Sequence, residues 1–385
     1  MQIIFFLESN FGIKFPVAFH YTSTRMLLAS LTALLITIFL GPAFIRKLKR
    51  LKIGQNIRKE ECPKLGQLHE KKESTPTMGG VLVLFSMSIS MLLWMNLSHG
   101  FTFLLFVTTV VLGSLGGVDD YMKIKYQSSK GISGKTKIYV QLALSLFIAG
   151  FLYFPSCGSF CQLPVIKESL QEVPLSEFMQ RLYLPFVKNS FQLSGGFIIG
   201  TIFIALVITG ASNAVNLTDG LDGLAIGCLV MVASAFALIA FLSNHFEMAN
   251  YLNIAYIEGS SEIAVYLLAF VGAGLGFLWY NGFPAEVIMG DTGSLALGGI
   301  IGVSAVLLKR EVLLALIGGV FVAEAISVIV QVLSYKFRNK KRVFLCAPLH
   351  HHFEFKGWPE SKVVIRFWII GLLLAIVGIA SLKLQ

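Results

Sequence analysis

The chain alternates between long apolar runs and short polar connections. A membrane-crossing helix needs roughly 20 apolar residues, and ten runs reach about that length: 24–45, 76–97, 101–118, 135–154, 193–213, 223–242, 263–281, 290–308, 312–334 and 363–382. The pattern predicts an all-α integral membrane protein, one polytopic domain over 1–385 built as a bundle of about ten transmembrane helices. The third, fifth and eighth runs contain several glycines, which membrane helices tolerate where they pack closely. The first 19 residues are only mildly apolar. They carry Glu8 and Lys14 and no small-residue cleavage site, so the first apolar run, not a cleaved signal peptide, is expected to target and anchor the chain.

Composition agrees. Of 385 residues 55% are hydrophobic and 14% charged, against about a quarter charged in a soluble protein. Mean hydropathy is +0.75. The formal net charge of +10 would suit a nucleic-acid partner, but its distribution argues for a membrane and against nucleic acid. Ten lysines and arginines fall in 46–75, five in 119–137 and seven in 336–362, against three in 155–192 and two in 309–311. Basic loops stay on the cytoplasmic side and attract anionic lipid. The basic loops therefore face the cytoplasm and, with an even number of spans, both termini face outside. Cys62, Cys157, Cys161, Cys228 and Cys346 lack zinc-type spacing. Cys157 and Cys161 share one outward loop, where a local disulfide and two free thiols are both open.

Five aspartates lie in three motifs, each bordering an apolar run: Asp119-Asp120, Asp219-Gly220-Leu221-Asp222 and Gly290-Asp291-Thr292-Gly293. Charge at a membrane edge is costly and points to function. The orientation puts all three motifs on the cytoplasmic surface, with Lys72 and His350-His351-His352. Adjacent carboxylates such as Asp119 and Asp120 repel unless a cation or proton lies between them. Hard oxygens suit Mg²⁺; a solvated acidic helix end is the bland alternative. Asn213, Asn216, Asp219 and Asp222 step by three, which wraps a helix end or breaks into a loop at Gly220. They could bind a base, ribose or sugar, or form an Asx-rich turn. Asp291 opens a span whose N-terminal amides could dock a phosphate, or it caps that helix. Three consecutive histidines point about 100° apart on a helix, which disfavours a shared zinc and leaves a proton donor, a phosphate contact or a polar loop. Lys72, Lys123, Lys125 and Lys135 could hold phosphates. Glu324 lies deep in the ninth run, as a packed carboxyl or part of a transport path.

Together these motifs resemble the phospho-N-acetylmuramoyl-pentapeptide-transferases, within the wider polyprenyl-phosphate N-acetylhexosamine-1-phosphate transferases. The resemblance runs from Thr75-Pro76-Thr77-Met78-Gly79-Gly80 to Lys356-Gly357-Trp358-Pro359-Glu360. It implies a ten-helix bundle with a cytoplasmic-facing cleft, a homodimer, and Mg²⁺ as cofactor. The implied reaction takes UDP-N-acetylmuramoyl-pentapeptide and undecaprenyl phosphate to lipid I and UMP. Asp291 is the implied metal ligand, beside Asp119 and Asp120, with Asp119 the implied base or orienter for the lipid phosphate. Lys72, Asp219, Gly220 and Asp222 match the nucleotide pocket, with Asn216 and Gln331 near it. Thr77, Lys123, Lys135, Asn213 and His352 are further implied substrate contacts, and His350 and His351 match residues needed for activity.

Ile288 departs from the pattern: many members carry phenylalanine there, and loss of a stacking ring would weaken uracil binding. Direct attack by the lipid phosphate and a two-step route through an aspartyl-phosphate are both open. Rival functions are an N-acetylglucosamine-1-phosphate transferase and, more remotely, a secondary transporter, whose acids belong near the bilayer centre.

Overall fold

The computed structural model describes residues 16–51, 75–126, 131–154, 164–168 and 171–384. Lys72, Cys62, Cys157, Cys161 and the segment 1–15 lie outside the described residues. The chain is an all-α membrane protein. Its helices are α1 (Thr22–Arg50), α2 (Gly80–Trp94), α3 (Gly100–Lys125), α4 (Gly134–Tyr153), α5 (Gly196–Thr218) and α6 (Leu224–Ser243). They continue with α7 (Ser260–Asn281), α8 (Gly290–Leu307), α9 (Glu311–Ile317), α10 (Gly319–Phe337), α11 (Leu349–Phe355) and α12 (Glu360–Lys383). Nine of the described helices are long and apolar enough to cross a membrane, and α2, at 15 residues, is a shorter apolar helix.

Two elements differ from the apolar pattern for physical reasons. The run 76–97 starts its helix only at Gly80, because the preceding backbone is used elsewhere. Ile288 N donates to Pro76 O, Gly79 N to Ile288 O and Gly80 N to Met289 O, each at 2.8 Å. The Thr-Pro-Thr-Met-Gly-Gly motif is thus a clasp on the segment leading into α8. The run 312–334 is broken into α9 and α10 at Gly318, since paired glycines are weak helix formers and common sites of kinking.

Among the described helices α8 is the most enclosed span, with every residue from Thr292 to Leu307 buried. It packs chiefly on α3 and α5, while α7 packs on α1 and α6. At Gly116 the α3 backbone touches α8 so closely that a Cβ would lie 2.2 Å from the Asp291 carbonyl oxygen. This contact sits one turn before Asp119 and fixes where the α3 carboxylates meet Asp291.

At the far end of α8, a small polar cap forms. Strands β1 (Ile166–Glu168), β2 (Gln171–Glu172) and β5 (Tyr256–Ile257) make one antiparallel sheet, and β3 (Arg181–Leu182) pairs with β4 (Phe191–Gln192). Buried Lys309 joins the cap to the bundle, donating to Glu311 at 2.7 Å and to Met179 O at 3.2 Å.

The Gly116 contact generates a test. Gly116→Ala forces two backbones apart and costs about 1–3 kcal/mol, the usual range for overpacking. Its thermal midpoint in detergent should fall. Gly134→Ala, where no described residue beyond its own turn lies within 4 Å of the added Cβ, should leave the midpoint unchanged. Equal midpoints for both variants would contradict the contact.

Candidate active site

The C-terminal ends of α3 and α5 and the N-terminal ends of α4 and α8 converge. Asp119, Asp120 and Asp291 each place an oxygen within 4.8 Å of the others. Two unit charges at that separation repel by about 3 kcal/mol at an effective dielectric near 20, so the cluster needs compensation.

Neighbours in sequence receive it differently, because consecutive helical side chains diverge by about 100°. Asp120 turns toward α8. It accepts from Asp291 N at 3.1 Å, Thr292 N at 2.9 Å and Thr292 Oγ1 at 2.7 Å. It therefore caps α8 from another helix, and the amides that the sequence offered to a phosphate are occupied by Asp120.

Asp119 turns toward α4. It accepts from Ile132 N at 2.7 Å and pairs with Lys123 at 2.7 Å and Lys137 at 3.1 Å. The same two ammonium groups reach Asp291, at 3.0 Å and 2.6 Å. Two carboxylates and two lysines thus alternate around one centre.

The remaining motif residues lie around this centre, and several hold backbone. Asp219 lies on the turn after α5. Burial, then the carboxylates of Asp291, Asp120 and Asp222, push its carboxyl up from 3.8 to about 8. Asp222 accepts from Ala285 N at 3.0 Å, and its own amide donates to Glu360 at 2.8 Å. Asn216 accepts from Ser294 Oγ at 2.7 Å. Asn213 commits both amide hydrogens, to Gln141 Oε1 and Thr209 O at 2.8 Å each. Thr77 lies beside Gly290. Gln331 accepts from Val343 N and Phe344 N at 3.0 Å, which anchors the loop ahead of the histidines.

The histidines have three separate environments. His350 is fully buried. Its amide donates to Glu324 Oε1 at 3.1 Å and its Nδ1 lies 3.3 Å from that oxygen. Its ring abuts Gly220, where a Cβ would lie 2.3 Å from Nε2. Glu324 therefore docks the histidine helix onto α10. His351 pairs with Glu354 at 2.7 Å. His352 Nδ1 accepts from Leu345 N at 3.1 Å, and burial followed by Lys356 lowers its pKa.

Comparison of the sequence with known proteins gives the family. Residues 102–309 match the model of glycosyl transferase family 4. The chain is 60% identical to the phospho-N-acetylmuramoyl-pentapeptide-transferase of Protochlamydia amoebophila, covering 99% of this chain and 98% of that protein. It is 45% identical to the proteins of the same name from Desulfotalea psychrophila and Syntrophus aciditrophicus, covering 95% of both chains in each pair. The chain belongs to the phospho-N-acetylmuramoyl-pentapeptide-transferase family.

Within this family member, Lys137 is the site residue that sequence reasoning missed. Of the lysines expected to hold phosphates, Lys123 reaches the carboxylates and Lys135 is exposed, while Lys137 also reaches them. The signal was present in the helical phase. The buried face of α4 runs through Gln141, Leu144, Ser145, Ile148, Ala149 and Leu152, and four residues back from Gln141 is Lys137.

Two outcomes follow for the transferase. Lys137→Ala should lower turnover by about 10²-fold, as loss of one preorganised charge does, while Lys135→Ala changes it little; steady-state rates of both variants check this, and the reverse order would refute it. The second concerns protons. A raised carboxyl pKa stabilises the folded chain fully below pH 3.8 and loses that contribution as pH rises through about 8. At pH 7 Asp219 holds its proton in the cation-free protein, and a divalent cation favours the ionised form. Calorimetric titration with Mg²⁺ in two buffers of different ionisation heat should show proton release at pH 7 that fades by about pH 9. Asp219→Asn should abolish the release. Heats independent of buffer in the unaltered protein would contradict the assignment.

Proposed function

We propose that this protein transfers the phospho-N-acetylmuramoyl-pentapeptide unit from UDP-N-acetylmuramoyl-pentapeptide to undecaprenyl phosphate, giving lipid I and UMP. The observation that carries the reading is the alternation of Asp119 and Asp291 with Lys123 and Lys137, in a chain of this family. Phosphoryl transfer asks mostly for positioning and charge neutralisation, and this centre offers both.

The donor set fits Mg²⁺. Carboxylate oxygens are the hard ligands it prefers, completed by waters and substrate phosphates. Asp291 would hold the ion with Asp119, while Asp120 fixes Asp291 by capping α8. Magnesium, when bound, would neutralise the donor diphosphate. Lys123 and Lys137 bind phosphate oxygens in this reading, and the turn bearing Asp219 and Gly220 takes the nucleotide. Undecaprenyl phosphate is already ionised, so its attack requires orientation more than a base. Asp119 is fully buried and ion-paired, which supports direct in-line displacement over an aspartyl-phosphate.

The wider setting belongs to the same proposal. The distribution of basic loops supports a multi-pass protein of the bacterial cytoplasmic membrane, with the site on the cytoplasmic face and both termini outside. A homodimer rests on the family resemblance.

The test is UMP release by the purified protein with undecaprenyl phosphate, Mg²⁺ and either UDP-N-acetylmuramoyl-pentapeptide or UDP-N-acetylglucosamine. Release is expected from the first donor and should stop with EDTA. Release from the second donor alone would make the chain an N-acetylglucosamine-1-phosphate transferase, and release from neither would contradict the assigned reaction.

A further inference from the structure

Lys137 on α4 must meet Asp291 on α8, yet α4 packs chiefly on α5 and then on α3. The distance between the two groups is therefore transmitted through α5. One helical turn below the charged centre lies a polar bridge suited to that task. Gln141 is fully buried. Its Nε2 donates to Ser212 Oγ at 3.0 Å and its Oε1 accepts from Asn213 Nδ2 at 2.8 Å. Ser212, also fully buried, donates onward to Leu295 O on α8 at 2.8 Å.

The register of the bridge is informative. Gln141 follows Lys137 by four residues, and Leu295 follows Asp291 by four. Residues four apart share a helix face, so the bridge lies under both members of the ion pair. Most other buried hydroxyls of these spans bond within their own helix. Thr108 donates to Leu104 O, Ser145 to Gln141 O and Ser304 to Ile300 O. Gln141 instead spends both ends of its amide on α5. A fully buried amide has no water at hand to replace a lost partner, so losing one end of the bridge leaves a polar group unpaired.

We propose that Gln141 is a positioning residue for the transfer reaction, setting Lys137 against Asp291 through Ser212 and Leu295. It touches no reacting atom and acts through Lys137. The proposal rests on the reading of Lys137 and Asp291 as parts of the active site. Interhelical hydrogen bonds in membranes contribute modestly to stability, so loss of the bridge should disturb placement more than folding. A displacement of an ångström at a reacting centre can cost about 10²-fold in rate.

The experiment is a double-mutant cycle on the full-length protein in detergent, read by UMP release and by thermal midpoint. Gln141→Leu should lower kcat by about 10–100-fold while the donor KM stays within about threefold, with only a small shift in midpoint. Ser212→Ala breaks the same bridge from α5 with little change in volume and should give the same split. Gln141→Glu keeps the shape and the acceptor toward Asn213 but, when ionised, has no hydrogen to give Ser212, so it should lose kcat as Gln141→Leu does. In a Lys137→Ala background, Gln141→Leu should cost nothing further.

Two results overturn the proposal alone: wild-type kcat in Gln141→Leu with a lowered midpoint, or a full additive loss in the double variant. An unchanged kcat in Lys137→Ala would overturn both this proposal and the reading of the site beneath it.

Discussion

Two carboxylates and two ammonium groups share one centre at the end of this bundle, and much of the molecule serves to keep them there. Asp119 and Asp291 come from different helices, as do Lys123 and Lys137. Without the lysines, the acids would repel in a partly dry setting. Each corner has its own support. Gly116 brings the α3 backbone onto Asp291. Asp120 caps α8, and the Thr75–Gly80 clasp holds the segment before it. Gln141 ties α4 through α5 to α8.

The polar residues divide their labour in a way their uniform chemistry conceals. Asp120 and Asp222 accept from backbone amides and fix where other groups stand. Asn213 and Gln331 also hold protein rather than face open space. His350 is a buried prop between Glu324 and the Gly220 turn. Burial and the carboxylates around it push the Asp219 carboxyl up from its ordinary value. Such a site is preorganised: the energy of holding charges at fixed separation is supplied by folding and need not be found when substrate arrives.

Much of this could be read from residue order. Length and apolarity mark the spans, because the bilayer imposes a narrow requirement. The aspartate motifs converge at one end of the bundle. What escaped depended on three-dimensional detail. The phase of α4 is unambiguous only once Gln141 is known to be buried, so Lys137 did not stand out among the basic residues of its loop. The late start of α2 follows from backbone pairing with Ile288 and Met289, which are distant in sequence. Glu324 reads in sequence as a packed carboxyl or part of a transport path, and the partner that packs it, His350, lies 26 residues on. The two-residue strands of the polar cap are too short to leave a periodic pattern.

If Asp119 and Asp291 form one cation centre shared with two lysines, the purified protein should bind a hard divalent cation there. Mn²⁺ substitutes for Mg²⁺ at hard-oxygen sites and is visible by electron paramagnetic resonance. Counting bound Mn²⁺ should give one ion per chain, displaced by excess Mg²⁺ and lost in Asp291→Asn. An unaltered protein that binds no Mn²⁺, or an Asp291→Asn variant that binds it undiminished, would contradict the shared centre.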